Sequence, residues 1–243
     1  MLSTSDLTFI EKKGITAEMI DAQLKRFEVG FPFLKINAVA TIGNGIKAFS
    51  PEETAACVKA WSDFQQTGKA IEKFVPASGA ASRMFKNMFA FASSGKDAPT
   101  TDFEKEYFEN ITKFAFYADV NNACRKLYRS NVQELMSAGR YVDVVKAMLE
   151  PEGLNYGFLP KALLKFHKTT GGNAHTPLEE HLEEGAQYAA DKNRKVNLHF
   201  TVSPEHKAEF EKLLTAKLPI YEQVWGVKYN VTMSEQKSST DTI

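Results

Sequence analysis

The chain has two cysteines, no net charge and no apolar run long enough to span a bilayer, and each shortage excludes something. Cys57 and Cys124 lie far apart and form no C-x-x-C pair, which argues against a disulfide framework; both are expected to be core thiols in a reducing compartment. Lys plus Arg and Asp plus Glu number 30 each, so no net field recruits nucleic acid or an anionic membrane, and any anion site must be local. The opening "MLSTSDLTFIEKKG" holds acidic residues and no apolar stretch of signal-peptide length, so the expected location is cytoplasmic. There is no repeat of solenoid period and no low-complexity tract, only polar links at "SSGKDAPTTD" and "HKTTGGNAHTP".

What is present is an apolar fraction of 43% in 243 residues, ample for a large core. Up to about residue 70 the pattern is mainly helical. "ITAEMIDAQLKRF" has apolar residues at helical spacing, and "SPEETAACVKAWSDF" opens with Ser50 as N-cap, Pro51 in the first turn and Glu53 completing a capping box. Between them "INAVATIGNGI" is expected to be extended with a Gly-Asn-Gly turn. From Met84 to Glu150 helical spacing continues through "FKNMFAFA", "DFEKEYFENITKFAFY" and "SAGRYVDVVKAML". After that, elements alternate: "TPLEEHLEEGAQYAA" helix, "VNLHFTVS" strand, "PEHKAEFEKLL" helix, "VKYNVTM" strand. Val196, Leu198, Phe200 and Val202 fall on one strand face, while Thr176 with Glu179 and Ser203 with Pro204 mark helix starts. Strands alternating with helices imply a parallel sheet, which begins near residue 72 with "EKFVPA" and is interrupted by the helical block.

The stretch "VPASGAASRM" stands where that first strand ends. Gly79 there permits backbone angles that other residues resist, and the small side chains of Ala77, Ser78, Ala80, Ala81 and Ser82 let a ligand approach the main chain. A loop between strand and helix presents free N–H groups, where anions bind, and the carboxyl ends of parallel strands are where such sheets hold ligands.

Downstream, "GFLPKALLKFH" places Pro160-Lys161 before an apolar run, and "TPLEEHLEEG" opens a helix at Thr176. Together with the Gly-containing loop closing on Arg83-Met84, these pieces resemble the sugar-phosphate nucleotidyltransferases. Over nearly the whole chain, "FVPASGAASRMFK", "FLPKALLKFH", "TPLEEHLEEG", "HFTVSPEHKAEFE" and "SEQKSSTDTI" resemble an uncharacterised bacterial family with a nucleotidyltransferase-like, GT-A type fold. The resemblance implies a Rossmann-like, mainly parallel sheet with flanking helices. It also implies an N-terminal helical extension over 1–70, an α/β domain over 71–243 and a helical insertion over 84–150. It implies further that Ser78, Gly79, Ala80, Ala81 and Ser82 cradle a nucleoside triphosphate. Arg83 and Lys161 would contact phosphate as the catalytic pair, and Gln236 and Thr240, with Asp241, would face the nucleotide. Mg²⁺ is the implied cofactor, its aspartate ligand expected beyond Ile243, so the chain reads as truncated. Two departures stand out: Ala81 and Ser82 replace a second glycine and a threonine, and the helical block separates Arg83 from Lys161.

Nucleotidyl transfer needs little more than alignment and charge neutralisation, because the attacking phosphate oxygen of the acceptor is already anionic. Free N–H groups, Arg, Lys and Mg²⁺ are the parts required, and a Ser-His-Asp arrangement is not. The implied partners are a nucleoside triphosphate and a phosphorylated small molecule such as a sugar phosphate, without nucleic acid or membrane. A phosphate-binding relative without turnover and a purely structural protein are the alternatives. His167, His175 and His181 with Glu179, Glu180 and Glu183 lack H-E-x-x-H spacing, and "EEHLEE" reads as a solvated face. His199 shares a strand face with Asn197 and Thr201 and is expected to be hydrogen-bonded there.

Overall fold

The computed structural model describes residues 2–169 and 171–237, and the chain divides into two compact units. One comprises the residues up to Lys69 with those from Gln236 onward; the other is Ala70–Glu235. In the first unit α1 (Thr4–Lys12), α2 (Ala17–Val29) and α3 (Pro51–Gln65) are capped by Ser3, Thr16 and Ser50, the last with Glu53 in the expected capping box. Gly30, at φ +74°, terminates α2, and Gly43 and Gly45, also at positive φ, form the expected turn between Thr41–Ile42 and Gly45–Ile46. Cys57 is exposed on α3 and so is not a core thiol; Cys124 is buried, and burial pushes its thiol up to about 11.

The second unit begins with β1 (Glu72–Pro76) and continues through five helices, α4 (Lys86–Ser93), α5 (Asp102–Glu109), α6 (Tyr117–Tyr128), α7 (Val132–Ser137) and α8 (Tyr141–Leu149). It then passes through α9 (Pro177–Tyr188), β2 (Lys195–Val202), α10 (Lys207–Trp225) and β3 (Lys228–Glu235). The three strands form a parallel sheet in the order β1-β2-β3, in the register Val75↔Phe200↔Met233. The unit is thus mixed α/β with a small parallel sheet.

One sheet face is apolar as the alternation required: Val196, Leu198, Phe200 and Val202 are fully buried against Leu178 and Leu182 of α9 and Phe210 and Leu214 of α10. The other carries polar side chains, where His199 bridges Thr232 (2.7 Å) and Ser234 (2.8 Å) and stacks on the exposed Phe74. Both α9 and α10 therefore lie on the same face.

A second core fills the helical block, with Met88, Phe91, Ile111, Leu135, Met148 and Leu149 at its centre. Here the helical reading needs correction. "DFEKEYFENITKFAFY" is not one helix: it breaks at Asn110 into a 3₁₀ turn, because Phe114 and Phe116 stack on each other at 5.1 Å and both pack into this core. Residues two apart cannot share one face of an α-helix. Gly139, at φ +74°, likewise delays α8 to Tyr141, and Ser203 meets His206 Nδ1 at 2.8 Å ahead of a short 3₁₀ turn instead of capping a helix.

Two carboxylates are buried, and one of them, Glu179, belongs to the run read as a solvated face. Glu179 completes the capping box with Thr176 and pairs with Lys217 at 2.7 Å. Glu104 accepts the N–H groups of Thr101 and Thr100 and is ion-paired with Lys96, and those bonds lower its pKa to about 2 from the ordinary 4.5. A folded-state value below the unfolded one means that the contribution is complete above pH 4.5 and is lost as the pH falls towards 2. Urea melts of Glu104→Gln beside the parent should therefore differ above pH 4.5 and converge towards pH 2; a constant difference across that window would refute the assignment.

Candidate functional site

The loop between β1 and α4 is held at both ends by different cores. Ala77 packs in the sheet core and donates its N–H to Thr201 O at 2.8 Å, while Ala81 and Phe85 pack in the helical core. Between these anchors Gly79 and Ala80 are exposed and Ser78 is half-buried; Ser82 and Arg83, just past Ala81, are exposed too. Contrary to the expectation from its residue type, Gly79 is not at positive φ, and a Cβ there would meet nothing within 4 Å, so neither backbone angle nor crowding requires a glycine at this position. What it supplies is an open main chain that a ligand can reach. Nor does helix follow at once: Met84 N–H bonds Ala81 O at 2.9 Å in a turn, and α4 starts only at Lys86.

Lys161, separated from Arg83 by the whole helical block, comes back to the loop. Its N–H donates to Gly79 O at 2.9 Å, and Pro160 forms a bridge with Ala80. The same two-core anchoring applies to this segment, with Ala162 in the sheet core and Leu164 in the helical core. The path back depends on tight turns after α8, where Leu154, Tyr156 and Gly157 donate to the carbonyls of Ala147, Met148 and Leu149 at 2.9 to 3.0 Å.

Among the described residues the N–H groups of Ser78, Gly79, Ala80, Ser82 and Arg83 donate to no protein acceptor. The side chains of Arg83 and Lys161 are likewise without an ion-pair or hydrogen-bond partner. Exposed main-chain donors that no protein acceptor occupies, together with the unpartnered Arg83 and Lys161 on the two joined segments, are groups that an anion can use. Lys86, exposed and unpartnered three residues after Arg83, adds a third cation that the motif reading passed over; the R-x-x-K spacing was its signal. Ala81 occupies the position of the second glycine, but it is buried in the helical core and leaves the loop's open side clear.

Gln236 directly follows the end of β3 and is half-buried, whereas Thr240 and Asp241 lie outside the described residues. Among the described residues no group of three or more His, Cys, Asp or Glu side chains could hold a metal ion. Of the histidines and glutamates set aside for lacking metal-site spacing, the structure does bring three together: His167 Nδ1 and His175 Nε2 both meet Glu180 Oε1 at 2.9 Å, joining the 167–175 hairpin to α9. No spacing rule announces it, because the pairing arises across a hairpin.

A family described as "Domain of unknown function (DUF4301)" matches residues 3–243. The chain belongs to this DUF4301 family. No curated protein and no solved structure matches it. In this DUF4301 chain no helix of the described residues is long and apolar enough to cross a membrane.

Proposed function

We propose that this DUF4301 protein is nucleotidyltransferase-like, with a GT-A type α/β unit. It would bind a nucleoside triphosphate at Ser78–Arg83 and transfer its nucleotidyl group to a phosphorylated small molecule such as a sugar phosphate. One observation carries the reading: the unspent N–H donors of the loop sit beside unpartnered Arg83, and Lys161 is tied to that loop through Gly79 O. The N–H groups hold phosphate oxygens in place, and the guanidinium and ammonium neutralise charge that builds on the departing pyrophosphate. The acceptor phosphate attacks without a base. No step is assigned to Mg²⁺.

Calorimetric titration with ATP, GTP, CTP and UTP tests the reading. Arg83→Ala and Lys161→Ala should each weaken triphosphate binding by about 1 to 3 kcal/mol, roughly 5- to 150-fold, the loss expected of a charge-assisted hydrogen bond. Unchanged affinity in both variants would remove the loop assignment. Pyrophosphate release in the presence of sugar phosphates then separates a transferase from a relative that binds without turnover.

A further inference from the structure

The loop opens next to a cavity of about 530 Å³ that nothing in the proposed chemistry uses. It begins one residue past Arg83, with Met84 and Phe85, and is walled by Phe103, Phe114 and Phe116 of the helical block. Its volume is that of a small-molecule site, and its walls are largely apolar and aromatic. Met84 and Phe103 are 47% and 43% exposed, so its mouth is open to solvent. Glu106 also lines it; this carboxylate is exposed and has no hydrogen-bond or ion-pair partner among the described residues. No lysine, arginine or histidine lines it.

Flat aromatic walls with one acceptor-only group at the mouth describe a receptor for a flat ring bearing adjacent N–H donors. Every nucleobase has a face that stacks on aromatic side chains. Their edges differ: guanine presents N1–H and the N2 amino group side by side, a match for the two oxygens of a carboxylate. Adenine and cytosine set a ring-nitrogen acceptor beside their amino group, and uracil flanks its N–H with two carbonyls, all of which a carboxylate repels. Resting on the triphosphate-loop reading above, we infer that this cavity receives the base of the triphosphate and that Glu106 selects guanine.

The test compares GTP with ATP, CTP and UTP by calorimetry on the full chain and on Glu106→Gln, Phe103→Asp, Met84→Gln and Arg83→Ala. GTP should bind at least about tenfold more tightly than the others, since a site that pairs with N–H donors discriminates strongly against rings lacking them. Glu106→Gln should erase that preference while leaving the affinity for the other three within about twofold. Phe103→Asp and Met84→Gln, both at the exposed mouth, should weaken GTP without unfolding the chain, and Arg83→Ala should weaken all four alike. Equal affinity for the four triphosphates, or a GTP preference intact in Glu106→Gln, would overturn the assignment of the cavity while the loop reading stood on Arg83→Ala. A GTP preference lost in Glu106→Gln but indifferent to Arg83→Ala would keep the base site and remove the loop. Absence of binding by any triphosphate would overturn both.

Discussion

Gly153→Ala should destabilise the second unit by about 3 kcal/mol, at the upper end for forcing a methyl group into a packed site. A Cβ on Gly153 would lie 2.0 Å from Ala147 O and 2.6 Å from its carbonyl carbon, and these are backbone atoms of α8 that cannot turn aside. The same carbonyl accepts Leu154 N–H at 2.9 Å, so relief by moving the chain sacrifices the first bond of the return path. That path ends at Pro160-Lys161, and the damage should therefore reach the loop: triphosphate affinity should fall as well, although Gly153 belongs to neither phosphate-contacting segment. Urea denaturation of the variant, followed by GTP titration under native conditions, reads both effects. A variant as stable as the parent would mean that the turn after α8 has slack which the close approach denies.

Phe200→Ala should cost about 3 to 5 kcal/mol, the range for emptying a phenylalanine site in a tight core. Phe200 is fully buried in the middle strand, beside Phe210 of α10 at a ring separation of 6.5 Å and His181 of α9 at 6.4 Å. Its neighbours are fixed by helix packing on one side and by strand pairing with Val75 and Met233 on the other, so collapse into the cavity is limited. The midpoint of urea unfolding should drop with little change in its slope. A loss below about 1 kcal/mol would show that the sheet core repacks freely, contrary to the density expected of protein interiors.

The proposed site was half legible in the sequence. The small-residue run and its arginine could be located at a strand end because an apolar stretch precedes them and a helical pattern follows, and Thr176-Pro177 with Glu179 spelled out a capping box that is present as read. The role given to Gly79 was wrong in kind, since a residue type states what conformations are allowed and not which one is used. Nothing local could show that the main-chain donors of the loop stay free, because their partners, or lack of them, depend on what the rest of the chain brings near.

The amino-acid sequence by itself determined the elements whose information is local. Period-2 burial marked β2, the Ser50 and Thr176 boxes marked the starts of α3 and α9, and the alternation of strands with helices required parallel pairing. Only the tertiary structure decided what lies opposite what. It broke the aromatic helix at Asn110, since Phe114 and Phe116 are drawn into the same core, and it buried Glu179 beside a cation from a distant helix, Lys217. It also brought Lys161 back to the loop that precedes Arg83, because the two-core packing turns the chain back after α8 and sets Lys161 N–H on Gly79 O. Contacts between distant segments follow from the burial of whole faces, and no short window of sequence contains that information.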